Sequence, residues 1–283
     1  MLTGPTANLS VCSRFKLDLT QPKVMGIVNV TPDSFSDGGK FNNIDLALHQ
    51  VEKMISEGAS IIDIGGESTR PGAAEVSDKD ELERTIPLLK AIRSRFDILI
   101  SIDTSKASVM AESIIHGVDI INDVRALQNK GCIEVAAQTD IPICLMHMQG
   151  KPRTMQVAPI YNDLIEDIKL FFQQRIEQCQ KAGIERQRII LDPGFGFGKT
   201  LEQNYKLLAN LQEFSSFKLP ILSGTSRKSM IGNLLNCPPQ ERLAGSLATA
   251  LLAAQNGAHI IRVHDVKETV DALRVLATAQ NNK

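Results

Sequence analysis

Polar side chains end several of the short Val- and Ile-rich runs of this 283-residue chain. Asn29, Asp103, Asn122 and Asp192 each stand at the end of one such run. Two carboxylates and an amide in one pocket would repel each other and lose hydration, unless a ligand supplied hydrogen-bond donors. A carboxylate accepts two parallel N–H bonds, an amide both donates and accepts, and Lys or Arg donates to ring oxygen or nitrogen. Together these groups match the 2-amino-4-oxo edge of a pterin or a guanine.

A second group of residues suits a phosphorylated anion. Asn29, Arg70, Arg262 and His264 follow or end other apolar runs, and the DGG and STRPG segments offer glycine-rich backbone N–H groups. Asn29 also suits a hard cation that bridges phosphate oxygens, because Mg²⁺ often needs only one or two protein ligands. A heterocycle with a phosphorylated arm would fill both kinds of site.

Each of these patterns also has a purely structural interpretation. Asp103, before TSKASVMAESII, could simply cap the next helix, and GTSRKS could be a helix start with a solvated basic patch. Asp192 has no immediate helix to cap, because Pro and two Gly follow it within four residues.

The PGFGFGKT segment is neither a P-loop nor a dinucleotide fingerprint, since Pro193 and Lys199 occupy the positions where glycine is required. The five histidines lack the spacing of a zinc site.

The elements that must position these residues are predicted from hydrophobic periodicity. Segments with apolar residues at helical spacing, such as Leu48, Val51 and Ile55, separate the apolar runs. Eight runs are predicted to be strands, namely Val24–Val30, Ser60–Ile64, Ile98–Asp103, Asp119–Asn122, Ile141–Met146, Arg188–Asp192, Pro220–Ser223 and His259–His264.

Local signals predict where several helices begin and end. Asp45, Asp78 with Glu81 three residues later, and Asn162 are expected to mark helix starts. Glycines are expected to mark helix ends at Gly58, Gly117, Gly183 and Gly257.

Eight strand-then-helix units predict an α/β fold, a (β/α)8 TIM barrel in one domain. An open doubly wound sheet is the alternative, although it would more often have five or six strands. Alternation in RFKLDL indicates a short β-hairpin, so residues 1–22 are predicted to cap the amino-terminal side of a barrel spanning residues 23–283. In such a barrel the strands' carboxyl ends form one rim, where the polar residues would converge.

Composition argues against two classes of partner and favours one cellular location. The formal charge of −1 gives no field to attract a polyanion, so we expect no nucleic acid and no acidic membrane surface as partner. No apolar stretch approaches the roughly 18 residues of a transmembrane helix, and the first residues show no export signal. Five scattered cysteines without a CxxC pair suit free thiols in a reducing compartment, so a cytoplasmic location is expected.

Taken together, the motifs resemble the bacterial dihydropteroate synthase family of pterin-binding barrels. They recur in order along essentially the whole chain after about Lys23, and they match without a departure at any motif position. The matching segments are MGIVNVTPDSFSDGGKF (Met25–Phe41), DIGGESTRPGA (Asp63–Ala73), ISIDTSK (Ile100–Lys106), IINDV (Ile120–Val124), CLMHMQGKPRTMQ (Cys144–Gln156), LDPGFGFGKT (Leu191–Thr200), GTSRKSMIG (Gly224–Gly232) and RVHDV (Arg262–Val266).

The resemblance implies a transferase of folate biosynthesis. It would condense 7,8-dihydropterin-6-ylmethyl diphosphate with 4-aminobenzoate, and release diphosphate and 7,8-dihydropteroate. It also implies Mg²⁺ as cofactor, sensitivity of the family to sulfonamides, and a homodimer.

Site residues follow from the resemblance position by position. The pterin would lie among Asp103, Asn122, Asp192 and Lys228, with the Arg262 guanidinium over the ring and Met146 beneath. Diphosphate would be held by Mg²⁺ on Asn29 and by Thr69, Arg70, Arg262 and His264. Aminobenzoate would lie near Pro71 and Phe197, its carboxylate on Ser229 and the N–H groups that follow. Loops over the site would contribute Phe35 and Asp37. Catalytic roles are implied for Asn29, Asp37, Asp103, Asp192, Lys228, Arg262 and His264.

Two other functions compete with this interpretation. A corrinoid-linked methyltransferase domain that binds methyltetrahydrofolate shares the Asp/Asn pterin clamp, but it needs no diphosphate site. A non-catalytic pterin-binding protein would not depend on the leaving-group residues Asn29, Arg70 and His264.

Overall fold

Eight parallel strands and the helices between them form a TIM barrel, with strand neighbours in chain order around the ring. The computed structural model describes residues 8–11, 15–30, 40–68, 75–150 and 159–282. The barrel strands are β3 (Lys23–Asn29), β4 (Ile61–Gly65), β5 (Leu99–Asp103), β6 (Ile120–Asp123), β7 (Ile143–Met146), β8 (Ile189–Asp192), β9 (Leu222–Ser223) and β10 (Ile260–Val263).

The ring closes between β8 and β9. β10 pairs with β3 on one side and with β9 on the other, and a parallel bridge from Leu191 to Ile221 joins β8 to the β9 segment. The predicted barrel is therefore confirmed, and the open sheet is wrong. Each of the eight predicted strands lies within two residues of an observed one.

Helices follow the strands and cover the outside of the ring. They are α1 (Lys40–Ser56), α2 (Asp78–Arg95), α3 (Ala107–Ile115), α4 (Cys132–Ala137), α5 (Leu164–Lys181), α6 (Leu201–Ala209), α7 (Ser229–Leu235), α8 (Leu243–Gln255) and α9 (Val266–Asn281). Four predicted stop signals are confirmed, because Gly58, Gly117, Gly183 and Gly257 follow α1, α3, α5 and α8 with positive φ. No helix in the described ranges is long and apolar enough to cross a membrane.

The predicted helix starts are wrong in detail. α1 begins at Lys40, so Asp45 lies inside it. The cap of α2 is Ser77, whose hydroxyl accepts from Asp80 N at 3.1 Å, and Asp78 is the first helical residue. An acidic residue in a first turn is stabilised by the helix dipole without capping anything, so the two roles resemble each other in sequence.

The start of α5 is misplaced by one residue. Asp163 is the cap, because its carboxylate accepts from the backbone N–H groups of Ile165 and Glu166. The predicted cap, Asn162, precedes it and donates its own backbone N–H to Asp167.

A two-stranded antiparallel hairpin precedes the barrel, as RFKLDL predicted. It consists of β1 (Asn8–Val11) and β2 (Phe15–Asp18). Leu17, and Leu19 just after β2, pack with a layer of buried residues that takes one member from each barrel strand. We call this layer the barrel floor; it consists of Met25, Ile61, Leu99, Ile120, Cys144, Ile190, Leu222 and Ile260. The hairpin therefore covers the amino-terminal end of the barrel, whereas the domain boundary after residue 22 stays a prediction.

Candidate active site

A polar layer lies directly above the barrel floor. Successive strand residues alternate between faces, so the residue two positions after each floor residue also faces the barrel interior. That step leads from Ile61 to Asp63 and from Ile260 to Arg262. It also leads to Asn122, Met146 and Asp192. The interior thus gains charged and amide side chains one layer above the floor, whereas Met146 keeps one side of that layer apolar.

Arg262 is the centre of this layer. Its Nε donates to Asp63 Oδ2 at 2.6 Å, and its Nη2 donates to Asp103 Oδ2 at 2.8 Å. Asn122 Nδ2 donates to the same Asp63 oxygen at 3.3 Å. Within the described residues, the buried Asp63 Oδ1 has no hydrogen-bond partner. One guanidinium therefore joins two carboxylates, and one carboxylate oxygen is left with unused acceptor capacity.

The charges in this cluster depend on one another. Burial raises the pKa of Asp103 to about 7, against the opposing charge of Arg262 and with the support of the Asp63 carboxylate. Burial opposes the charge of Arg262, but Asp63 and Asp103 outweigh it and raise the pKa of the guanidinium. Arg262 thus stays a cation, while Asp103 can gain or lose a proton near neutrality.

The capping alternative for Asp103 is wrong. Lys106 occupies the cap position of α3, without a side-chain cap hydrogen bond. The Asp103 carboxylate contacts Arg262 instead.

Asp192 and Lys228 are two further charged groups of the site, and each affects the pKa of the other. Asp192 Oδ1 accepts from Gly194 N at 2.8 Å, and burial raises the pKa of its carboxyl although Lys228 opposes the shift. Burial likewise lowers the pKa of Lys228 to about 8, opposed by Asp192. Lys228 Nζ donates to Phe195 O at 2.5 Å and lies 4.6 Å from the centre of the Phe197 ring. The GTSRKS segment is therefore no solvated patch at Lys228, although Lys228 does precede α7.

An apolar wall adjoins these charges. Met146 and Phe197 are buried and pack together, with the half-buried Val124 and Met148 against them. Such a wall beside hydrogen-bonding groups can accept a flat heterocycle.

The upper rim carries Asn29, His264 and Ser229. Asn29 ends β3, half-buried, and pairs with Gly65 of β4. A Cβ on Gly65 would lie 3.5 Å from Asn29 Oδ1 and 3.9 Å from Asp103 Oδ2, so the missing side chain leaves room between two oxygen donors. His264 Nδ1 lies 3.1 Å from Ser226 Oγ, and Ser229 is the exposed first residue of α7.

The sequence-predicted residues that are described all lie on the carboxyl-terminal side of the barrel. Five others lie outside the described residues, and their placement stays a prediction; they are Phe35, Asp37, Thr69, Arg70 and Pro71.

Sequence reasoning missed Asp63 as a member of the site. Asp63 is fully buried and contacts both Arg262 and Asn122. The signal was the position of Asp63 in its strand. It stands two residues after Ile61, and so faces the same side, in a strand that is otherwise apolar. Lys199 was also missed. It is 2% exposed behind Phe197, and burial lowers its pKa to about 7 against the opposing charge of Asp192.

Known proteins resemble this chain over nearly its whole length. The family described as pterin binding enzyme matches residues 25–264. Dihydropteroate synthase of Escherichia coli K12 is 58% identical over 270 residues, which cover 94% of this chain and 96% of that protein. The Haemophilus influenzae dihydropteroate synthase is 54% identical over 265 residues, with 94% and 96% covered.

Solved structures agree with these relatives. A Yersinia pestis dihydropteroate synthase in a sulfonamide drug complex superposes with a TM-score of 0.93 at 56% identity, covering 97% of this chain and 99% of that one. A Xanthomonas albilineans dihydropteroate synthase with 4-aminobenzoic acid superposes with a TM-score of 0.91 at 44% identity, covering 98% and 99%. The chain thus belongs to the family of pterin-binding enzymes and, within it, to the dihydropteroate synthases, which are transferases.

Proposed function

We propose that this chain joins the methylene carbon of 7,8-dihydropterin-6-ylmethyl diphosphate to the amino nitrogen of 4-aminobenzoate. The carbon–oxygen bond to diphosphate breaks, a carbon–nitrogen bond forms, and the aniline nitrogen loses one proton. The observation that carries the proposal is the buried cluster of Arg262 with Asp63 and Asp103, next to Asp192 and Asn122 on the same barrel interior. The Xanthomonas relative that holds 4-aminobenzoic acid supports the choice of second substrate.

Pterin recognition is assigned to Asn122, Asp192 and Lys228. Asp192 is buried, and its Oδ1 accepts from Gly194 N, so the amino and ring N–H groups of a pterin would supply further donors to its carboxylate. Asn122 can accept a pterin N–H with its Oδ1, and Lys228 can donate to the ring oxygen or nitrogen. Met146 and Arg262 would flank the ring.

Departure of diphosphate creates two opposite charges. An electron-rich dihydropterin can spread the positive charge of its methylene carbon into the ring, and the carboxylates of Asp103 and Asp192 favour that charge. Arg262 and His264 would bind the negative leaving group, together with Thr69 and Arg70. Because Arg262 is fixed by two carboxylates, its orientation is set before the substrate arrives.

Asn29 fits the requirement for a Mg²⁺ ligand. Its amide oxygen is a hard donor at the rim, and Gly65 leaves space beside it toward Asp103 Oδ2. When bound there with the substrate, Mg²⁺ would neutralise charge on the diphosphate oxygens.

Aminobenzoate would enter along Phe197, with Pro71 opposite and Ser229 at its carboxylate. The aniline nitrogen is a neutral nucleophile, so no base has to activate it. Its surplus proton can pass to solvent or to diphosphate after the bond forms. The loops that carry Phe35 and Asp37 would keep water from the cation.

Three broader predictions accompany the function. A cytoplasmic location is supported by free thiols at Cys132, Cys144, Cys179 and Cys237, the cysteines of the described residues. A homodimer is proposed from the family resemblance, and sulfonamides are proposed to compete with aminobenzoate, in line with the drug complex of the Yersinia relative.

A diphosphate-release assay with and without 4-aminobenzoate tests the function. Wild-type protein should release diphosphate only when both substrates and Mg²⁺ are present, and a chelator should stop release without unfolding the protein. Asp192→Asn should lower kcat/KM roughly 100-fold, as loss of a buried charged hydrogen bond of about 2–3 kcal/mol implies. Asp140→Asn at an exposed loop position is the matched control and should keep wild-type kinetics. No aminobenzoate-dependent release would overturn the proposal, whereas methyl transfer from methyltetrahydrofolate would favour the methyltransferase.

A further inference from the structure

Lys199 is a fully buried lysine that the proposed chemistry does not use. It lies in the segment 193–200, which connects β8 to α6, and only 2% of its surface is exposed. Its Nζ donates to Gly194 O at 2.8 Å and to Phe197 O at 3.2 Å, and it lies 3.1 Å from His147 Nδ1. In its protonated form, Lys199 has three N–H bonds, which match these three acceptors.

The segment around Lys199 has little stiffness of its own. Gly194, Gly196 and Gly198 all have positive φ, between 62° and 79°. Glycine loses more conformational freedom on folding than any other residue, so such a turn needs outside contacts to stay in one shape. Asn204 Oδ1 accepts from Gly196 N, and Tyr161 Oη donates to Gly198 O. Lys199 adds the contact nearest to Phe197, because it draws two carbonyls of the segment, one of them that of Phe197, toward one nitrogen.

His147 anchors this arrangement to the neighbouring loop. It directly follows β7, and its ring packs edge-on against Phe171 at 5.0 Å. Burial, together with the charge of Lys199, holds the pKa of His147 well below its usual range. A neutral imidazole can accept at Nδ1 when its proton is on Nε2, which is the tautomer that Lys199 requires.

Asp192 is held by backbone contacts outside this anchor, although its Oδ1 also accepts from Gly194 N of the segment. It pairs with Met146 in the β7–β8 ladder, and its carbonyl accepts from His147 N at 2.8 Å. Phe197, by contrast, lies in the segment itself, and its carbonyl is bound directly by Lys199. Losing Lys199 should therefore displace Phe197 much more than Asp192.

We propose that Lys199, docked on His147, is a positioning residue that sets the place of Phe197 in the wall for the second, aromatic substrate. The inference rests on the proposed function, which assigns aminobenzoate to Phe197. Neither side chain touches the reacting atoms. Their action is to hold a glycine-rich turn in the one shape that presents the ring.

The test replaces Lys199 by methionine, which keeps length and removes the donors. In the diphosphate-release assay, Lys199→Met should raise KM for 4-aminobenzoate about tenfold and leave kcat within about threefold. Binding of 6-hydroxymethyl-7,8-dihydropterin, measured by calorimetry, should stay within about threefold of wild type. Lys206→Met, the same change at an exposed position of α6, should alter none of these quantities.

A second variant keeps the test decisive if Lys199→Met does not fold. His147→Leu preserves bulk against Phe171 and removes one of the three acceptors, so KM for aminobenzoate should rise about threefold. If both single variants fold, the double variant Lys199→Met/His147→Leu should show the KM of Lys199→Met alone. The contact that His147→Leu removes is already absent when Lys199 is replaced.

The outcomes separate this inference from the proposed function. An unchanged aminobenzoate KM in a folded variant, or equal losses of pterin and aminobenzoate affinity, would overturn the positioning role while wild-type activity upholds the function. If the wild type shows no aminobenzoate-dependent release, the function itself fails.

Discussion

A single guanidinium shared by two carboxylates is the most consequential arrangement among individual residues. Arg262 contacts Asp63 and Asp103, so these three groups carry a formal charge of −1 when all are ionised. Removing one partner from a buried pair leaves an uncompensated charge, which typically costs about 3–5 kcal/mol. The cluster is therefore costly to break, yet Asp63 Oδ1 has acceptor capacity for a ligand that brings N–H groups.

The raised pKa of Asp103 predicts a pH dependence of pterin binding. A carboxyl group with a pKa of about 7 is mostly ionised at pH 8 and mostly protonated at pH 6, and only the ionised form accepts on both oxygens. Titration of Asp103 alone should therefore lower affinity for 6-hydroxymethyl-7,8-dihydropterin, which carries no phosphate to titrate, about tenfold from pH 8 to pH 6. Protonation of Lys228, whose pKa is about 8, should offset about twofold of that fall. Calorimetric titration at several pH values measures this slope.

Asp103→Asn is the control for that slope. The amide does not titrate, so its weaker binding should vary by no more than about twofold over the same range. A slope that survives in Asp103→Asn would assign the titration to another group, such as the buried Asp192, and contradict the prediction.

Residue types at strand ends allowed much of the site to be predicted. Asp103, Asn122, Asp192 and Arg262 were identified because each interrupts or ends an apolar run. Asp63 was missed because it lies inside its strand with isoleucines on both sides, where a lone acid resembles an ordinary polar interruption. The ion pair with Arg262 spans 199 positions of sequence, and no local pattern reveals it.

At the scale of elements, the segment between β8 and α6 depends on glycine for close approach. A Cβ on Gly194 would lie 1.9 Å from His147 O, and φ at this residue is +74°. Gly194→Ala therefore combines left-handed strain of about 1–2 kcal/mol with overpacking of about 1–3 kcal/mol. We expect the free energy of unfolding in urea to fall by about 3 kcal/mol.

Gly183→Ala separates strain from crowding. Gly183 follows α5 with φ of +90°, but a Cβ there would have nothing within 4 Å. This variant should lose only the strain, about 1–2 kcal/mol. Equal losses of unfolding free energy in the two variants would show that crowding of the Gly194 Cβ against His147 O costs nothing.

Strands were predicted better than helix starts, for a physical reason. A buried parallel strand is a continuous apolar run, so its sequence shows both its place and its ends. A helix start depends on which of several neighbouring polar residues turns back to the backbone. Ser77 and Asp163 do so, whereas the adjacent Asp78 and Asn162 do not, and composition alone does not distinguish them.

At the scale of the whole molecule, closure of the barrel is what brings the site together. β3 and β10, distant in sequence, become neighbours, and Asn29 thereby reaches the same rim as His264. The count of eight units predicted that closure. The two-residue length of β9, and the single bridge from Leu191 to Ile221, depend on packing that the sequence pattern does not show.

The outer surface of α8 tests the proposed homodimer. Ala244, Ala248 and Leu252 are exposed at intervals of four residues, so they share one face, and Leu252 is 46% exposed. Small residues on such a face would allow a second copy to approach closely, and a charge there would be left without water or a partner.

Ala248→Glu should shift sedimentation velocity from dimer to monomer at micromolar protein. Ala182→Glu, at the exposed end of α5, should keep the wild-type value. A dimer that persists in Ala248→Glu would place the subunit contact on another face, while a monomeric wild type would refute the homodimer itself.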